Sequence, residues 1–200
     1  RPRETRVMQA FRDISQRLLA LVGLIASLPL ALLTAVAVKL DSPGPVFYKQ
    51  VRVGKNGKHF VLVKFRSMRT DAERDGAVWA SVSDDRTTRV GRVIRKLRLD
   101  EIPQFWNIIK GDMSFVGPRP ERPEFVAKLA ESVPFYEYRH LVAPGLTGWA
   151  QVNYPYGASI EESKRKLEFD LYYIKNQSIS LDLVILFETI KTILSGRGSR

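Results

Sequence analysis

The stretch LLALVGLIASLPLALLTAVAV, residues 18–38, runs for 21 residues without a charge. As a helix it reaches about 31 Å, close to the thickness of a bilayer core. A helix buried in a soluble core would keep a polar stripe, and this one keeps none. No small-x-small cleavage site follows it, so it does not read as a cleaved signal peptide. Pro29 lies near its centre, two residues after Ser27, and a proline there removes one helical hydrogen bond and favours a kink. Both flanks are basic: Arg6, Arg12 and Arg17 before the segment, Lys39, Lys49 and Arg52 after it. The positive-inside rule disfavours sending either flank across. Two geometries remain on these grounds: a kinked transmembrane helix, and a helix that bends at Ser27-Leu28-Pro29 and returns to the face it entered.

Around this segment the chain is ordinary globular protein. Of 200 residues, 44% are hydrophobic and 26% charged, which excludes disordered and low-complexity classes. Cysteine is absent, so disulfide scaffolds, thiolate nucleophiles and cysteine-based metal sites are excluded. His59 and His140 alone cannot build a histidine-rich metal centre. Lys+Arg exceed Asp+Glu by 11. That excess fits an anionic membrane surface or an anionic substrate as well as it fits nucleic acid.

Beyond the turn cluster Asp41-Ser42-Pro43-Gly44-Pro45, residues 46–53 and 59–65 read as a hairpin closed by Asn56-Gly57. Val90, Ile94 and Leu97 recur at helical spacing. A second helix follows Pro103, carries Ile102, Phe105, Trp106 and Ile109, and stops at Gly111. Residues 114–124 read as a Pro/Arg loop and 143–148 as a turn. Helices are expected over 125–131, 159–175 and 181–194. The last is mostly apolar and suits either a core or the headgroup layer.

No G-x-G-x-x-G or G-x-x-x-x-G-K-[ST] fingerprint is present. The densest chemistry is RVIRKLRLDEIPQ, residues 92–104, where four cations lead into Asp100-Glu101. Acids at a helix start offset its dipole, and a first-turn proline is common there. Gly117-Pro118-Arg119-Pro120 presents a second cation on a stiff backbone. Taken together the two elements suggest a carboxylate working against phosphate. Arginines and a divalent cation would then neutralise the repulsion between two anions. Adjacent helical residues point about 100° apart, so one carboxylate could attack or bind metal while the other moves a proton.

Five stretches resemble, in order and over nearly the whole chain, the monotopic phosphoglycosyl transferases, also called polyprenyl glycosylphosphotransferases or bacterial sugar transferases. They are VKLDSPGPVFYKQVRVGKNGKHF (38–60), KFRSMRTDAE (64–73), TRVGRVIRKLRLDEIPQFWNIIKGDMSFVGPRPE (88–121), RHLVAPGLTGWAQVN (139–153) and FDLYYIKNQSISLD (169–182). The resemblance implies transfer of a sugar 1-phosphate from a UDP-sugar to undecaprenyl or another polyprenol phosphate. It makes Asp100 the nucleophile and Mg2+ ligand and Glu101 its acidic partner. Arg95, Arg119 with its flanking Pro118 and Pro120, Lys64, Arg66 and Asp170 become phosphate or substrate contacts, although a structural ion pair serves Asp170 equally. Ser27 and Pro29 become the break of a re-entrant helix-break-helix.

The implied fold is mixed α/β and mostly helical. Residues 1–40 form a re-entrant anchor, and residues 41–200 a small catalytic domain with a β-hairpin and interfacial amphipathic helices. The implied place is the cytoplasmic face of a bacterial inner membrane. Many relatives carry Asn-Gly-Arg after Ala-Gln-Val, where this chain has Asn153-Tyr154-Pro155-Tyr156-Gly157; the stretch Tyr154–Ser159 is a candidate homodimer contact. The likeness is to the branch that initiates exopolysaccharide, whose members often bear further N-terminal membrane helices, and a first residue other than Met suits a catalytic half of such a protein. Two readings from other classes stand beside this one. One is a membrane-tethered basic interaction protein without catalysis, and the other a glycosyltransferase that leaves the phosphate behind.

Overall fold

In a computed structural model the apolar segment lies inside one helix, α1, that runs from Arg6 to Asp41. The structure describes residues 6–74, 76, 84–154 and 159–194. Thirty-six residues make α1 about 54 Å long if straight. It continues through Ser27 and Pro29, so the interruption expected there is not seen as a loss of helix. The Ser27 hydroxyl turns back to the Leu24 carbonyl at 3.0 Å and is satisfied within the helix.

Besides Leu24, Thr34 and Ala37, the less exposed positions of α1 are Arg12, Gln16, Ala20, Gly23, Ser27, Ala31, Ala35, Val38 and Asp41. Their spacing of three or four residues traces one stripe along the whole helix. The sequence hid this stripe because most of its members are small rather than polar. Ala20 is fully buried among Phe60, Leu62, Ile108 and Met113, and Val38 is buried with Phe65 and Ile94. Polar contacts fasten both ends. Arg12 pairs with Asp182, which also accepts from the Tyr173 hydroxyl at 2.8 Å. Asp41 accepts from the Val90 amide at 3.0 Å. The opposite face exposes Leu18, Val22, Ile25, Leu32, Leu33 and Val36. The helix therefore lies lengthwise on the rest of the molecule and presents an outer side that is apolar from Leu18 to Val36.

β1 (Phe47–Val53) and β2 (His59–Phe65) form the expected antiparallel hairpin. Asn56 and Gly57 both take positive φ at its tip, as a tight hairpin turn requires. α2 (Arg89–Lys96) starts at Thr88, whose hydroxyl caps the Gly91 amide, and α3 (Gln104–Lys110) ends at left-handed Gly111. Two short strands were not foreseen: β3 (Ser114–Val116) and β4 (Gly145–Thr147), which pair in parallel. Three residues are too few for alternation to show. Gly117 and Gly145 permit the approach, since a Cβ on Gly145 would sit 2.1 Å from the Gly117 nitrogen.

α4 (Pro123–Ser132), α5 (Trp149–Asn153), α6 (Ile160–Asn176) and α7 (Ile179–Leu194) complete the layer. A capping box of Ser159 and Glu162 fixes the start of α6. α7 is apolar on two sides. Ile185 is buried with Val116, Tyr173 and Ile174, while Leu183, Phe187 and Ile190 are exposed. The core reading of this helix therefore holds for the first of these faces. Ala20→Leu should overpack the α1 seam and cost about 1–3 kcal/mol, read as a lower thermal midpoint in detergent. Leu19→Ala on the exposed face should leave that midpoint unchanged.

Candidate active site

The acidic pair sits on its own 3-10 turn, Leu99–Glu101, rather than inside the helix that follows. Leu99 and Ile102 bracket it and pack against the cluster of Val38, Phe65 and Ile94. Arg98, just before, adopts a left-handed conformation (φ 57°). This conformation is costly for a side-chain-bearing residue, so the packing around it must enforce it. Apolar anchors on either side thus hold two carboxylates below the surface. Asp100 is 7% exposed and Glu101 8%.

Their surroundings are unequal. Glu101 Oε1 lies 3.0 Å from Arg119, 3.7 Å from Arg98 and 3.8 Å from Lys64. Burial alone would raise its pKa, but Arg119, Lys64 and Arg98 outweigh that and bring it down to about 2. Asp100 makes no hydrogen bond or ion pair with the described residues. Burial and then the charge of Glu101 push its pKa up, against the longer-range pull of Lys64, Arg119 and Arg98. Lys64 itself comes down to about 8 through burial and the nearby Arg119 charge, opposed by the two acids. One carboxylate is saturated by cations and the other is left with spare acceptor capacity.

Each partner is held from behind. Asn107 of α3 donates to the Val61 carbonyl at 2.7 Å and accepts from the Val63 amide, locking β2, and so Lys64, against α3. Arg119 sits on a braced loop: the Pro118 carbonyl accepts from Gly145 at 2.9 Å, and the Pro120 carbonyl from Arg52 at 3.0 Å. The two prolines therefore serve through backbone carbonyls. Arg139 donates to the Arg119 carbonyl at 2.9 Å, to the Tyr136 hydroxyl at 2.8 Å, and twice to Asp170 at 2.9 and 3.1 Å. Asp170 is 2% exposed, so it supports the Arg119 loop through Arg139.

Two candidates stand elsewhere. The Arg66 guanidinium is buried against the carbonyls of Val38, Ser42 and Pro43, where it ties the end of α1 to β2. Arg95 donates to the Thr87 hydroxyl at 3.0 Å and faces the Asp84 side of α2. Arg98 occupies the place expected of Arg95, because α2 ends at Lys96 and the left-handed turn reverses the chain. Arg98, Asn107 and Arg139 carried no separate signal; only the nearness of Arg98 to Asp100-Glu101 could have selected it. Of the candidate contact stretch 154–159, residues 155–158 lie outside the described residues.

Among the described residues no group of three acidic, histidine or cysteine side chains could hold a metal. Mg2+ commonly takes one or two carboxylates and completes its shell with phosphate oxygens and water. The uncommitted Asp100 carboxylate suits that pattern. Beside the pair opens a mostly apolar pocket of about 290 Å³, lined by Lys96, Arg98 and Glu101 as well as Ile102, Phe105 and Leu186.

A family profile described as bacterial sugar transferase matches residues 6–196. The chain belongs to that family. It is 55% identical over 172 residues to a UDP-N-acetylgalactosamine-undecaprenyl-phosphate N-acetylgalactosaminephosphotransferase of Aeromonas hydrophila, covering 86% of this chain and 41% of that one. It is 46% identical over 182 residues to an undecaprenyl-phosphate glucose phosphotransferase of Komagataeibacter xylinus, covering 88% and 34%. It is 40% identical over 187 residues to a UDP-glucose:undecaprenyl-phosphate glucose-1-phosphate transferase of Escherichia coli K12, covering 92% and 40%. The chain thus spans about a third to two fifths of the length of these sugar transferases.

Within the site, removing one partner of the buried Asp170–Arg139 pair strands a charge. Asp170→Asn should cost about 3 kcal/mol or more of stability, measured by denaturant unfolding in detergent.

Proposed function

We propose that this chain is the catalytic part of a phosphoglycosyl transferase that moves a sugar 1-phosphate from a UDP-sugar to a polyprenyl phosphate. The observation that carries the reading is the unequal pair: Glu101 neutralised by three cations, and Asp100 buried beside it with no hydrogen bond or ion pair among the described residues. An Asp100 oxygen attacks the phosphorus bearing the sugar. The bond from that phosphorus to the bridging oxygen breaks, and UMP leaves with that oxygen. An oxygen of the polyprenyl phosphate then attacks the aspartyl phosphosugar, the Asp100 carboxylate departs, and a polyprenyl diphosphate sugar forms.

Arg119, Lys64 and Arg98 act on the phosphate charge. Glu101 holds these cations in register and remains ionised. Mg2+, bound by Asp100 and substrate oxygens, would supply further neutralisation of the diphosphate and offset the burial that raises Asp100. The mostly apolar pocket, with Lys96 and Arg98 in its lining, matches the chemistry of a polyprenyl phosphate.

The seating of α1 supports a placement on one membrane face. A perpendicular span would carry the domain packed along its length, with buried charges, into the lipid. We take the exposed apolar side of α1 to enter the bilayer from the cytoplasmic face and return to it, with Pro29 midway between its two anchored ends. The exposed apolar side of α7 would rest at the same boundary. Initiation of an exopolysaccharide or another surface glycan is the role consistent with these substrates.

Incubation with UDP-sugars and Mg2+ without acceptor should add the mass of one sugar phosphate to the intact chain and release UMP. Asp100→Asn should lose that adduct and at least about a thousandfold in turnover, while remaining folded in the membrane fraction. Unchanged turnover would reject Asp100 as nucleophile. UDP release in place of UMP would reject phosphate transfer. Lys64 loses its charge as pH rises through about 8. The logarithm of kcat/KM for the donor should therefore fall above that pH with a slope approaching −1, and Lys64→Arg should abolish that limb.

A further inference from the structure

Beyond the acidic pair, Gln104 is a buried polar side chain that the mechanism above does not use. It is 3% exposed, and its Nε2 finds no hydrogen-bond acceptor among the described residues. A buried amide donor left unpaired costs about 1–3 kcal/mol, so a fold tolerates one where a ligand completes it. Gln104 lines a cavity of about 10 Å³ together with Lys64, Arg119, Arg52, Leu62 and Pro120. That volume admits one oxygen-sized atom. Two of those residues, Lys64 and Arg119, are the cations that reach Glu101, so the cavity adjoins the reacting centre. The chain from Leu99 to Lys110 is near-continuous helical turn, which puts Gln104 one turn after Asp100 and on the same side.

We propose that Gln104, Lys64 and Arg119 form a one-oxygen notch. It receives a nonbridging oxygen of the phosphoryl group that Asp100 attacks, and Gln104 Nε2–H donates to that oxygen. The inference rests on the transferase reading and adds a residue to it. Lys64 and Arg119 supply charge, which any anion could use. Gln104 supplies a directed neutral donor, which selects one oxygen of the phosphoryl group and gains strength as charge builds on it in the transition state. Arg52 also lines the notch, so the amide stands where a fourth cation would otherwise be. Another positive charge beside Lys64 would depress the ammonium further.

The first test does not depend on turnover. The full chain, labelled with 15N-glutamine in lipid nanodiscs, is titrated with inorganic pyrophosphate and Mg2+, and the Gln104 side-chain signal is assigned by its loss in Gln104→Leu. Movement of that signal on binding supports the notch. A signal that stays put while pyrophosphate binds, or pyrophosphate that does not bind, overturns it.

The second test follows adduct formation in a quenched-flow mass measurement. Gln104→Leu should slow adduct formation about a hundredfold with donor affinity altered less than threefold. Gln104→Glu, of the same shape, guards against a misfolded leucine variant and should be slowed at least as much. With the two diastereomers of a UDP-sugar carrying sulfur at the attacked phosphorus, wild type should prefer one by tenfold or more, and Gln104→Leu should lose the preference. Rates within twofold of wild type, or an unchanged preference in the variant, overturn the proposal. If no UDP-sugar labels wild type while the amide signal moves with pyrophosphate, the transferase reading falls and the oxyanion notch stands.

Discussion

Burying two adjacent carboxylates is costly, and the structure meets that cost for only one of them. Arg98, Lys64 and Arg119 converge on Glu101. A fourth cation on Asp100 would have satisfied the pair and left a stable, inert ion cluster. Instead Asp100 carries a raised pKa and open acceptor positions. Much of the remaining architecture serves that inequality. β2 delivers Lys64, a left-handed residue swings Arg98 inward, and a proline-stiffened loop delivers Arg119.

The supports have supports of their own. Arg119 could not hold its position on an unbraced loop, and the brace is largely backbone: β3 with β4, and carbonyls that accept from Gly145, Arg52 and Arg139. Arg139 in turn is pinned by Asp170 and by the ring and hydroxyl of Tyr136. A carboxylate on α6 thus sets the position of a guanidinium it never touches. This indirect action is why Asp170 resembles a site residue in sequence while making only a structural ion pair in space.

Local periodicity and turn chemistry made the long elements legible. The hairpin, α2, α3 with its glycine stop, α4, α6 and α7 all stand within a few residues of where the pattern puts them. The two three-residue strands escaped because their pairing is long-range and leaves no local trace, and α5 because five residues are too few for helical periodicity to show. In the site, Asp100, Glu101 and Arg119 stood out as a dense charge cluster and a stiff Pro-Arg-Pro. Lys64 came only with the family likeness. Arg66 and Arg95 were misplaced for one shared reason. An arginine's target depends on which carbonyls or hydroxyls the folded backbone brings near it, and no sequence spacing reports that. Gln104 carried no signal at all, since an unpaired amide is visible only once its neighbours are in place.

The helix α1 and the candidate site are also one mechanical unit. Ala20 packs against Phe60, Leu62 and Ile108, which lie on β2 and α3; these same two elements carry Lys64 and Gln104. Val38 packs with Phe65, and that cluster also receives Leu99 and Ile102, the brackets of the acidic pair. A helix that merely tethered the domain would need contacts at one end only. α1 instead forms part of two cores from Arg12 to Asp41, while its outer side remains apolar from Leu18 to Val36. Whatever apolar medium covers that outer side is therefore held at a fixed depth relative to Asp100. Under the proposed transfer to a polyprenyl phosphate, with its phosphate at the membrane surface and its tail beneath, a fixed depth would replace a search in three dimensions with one in two.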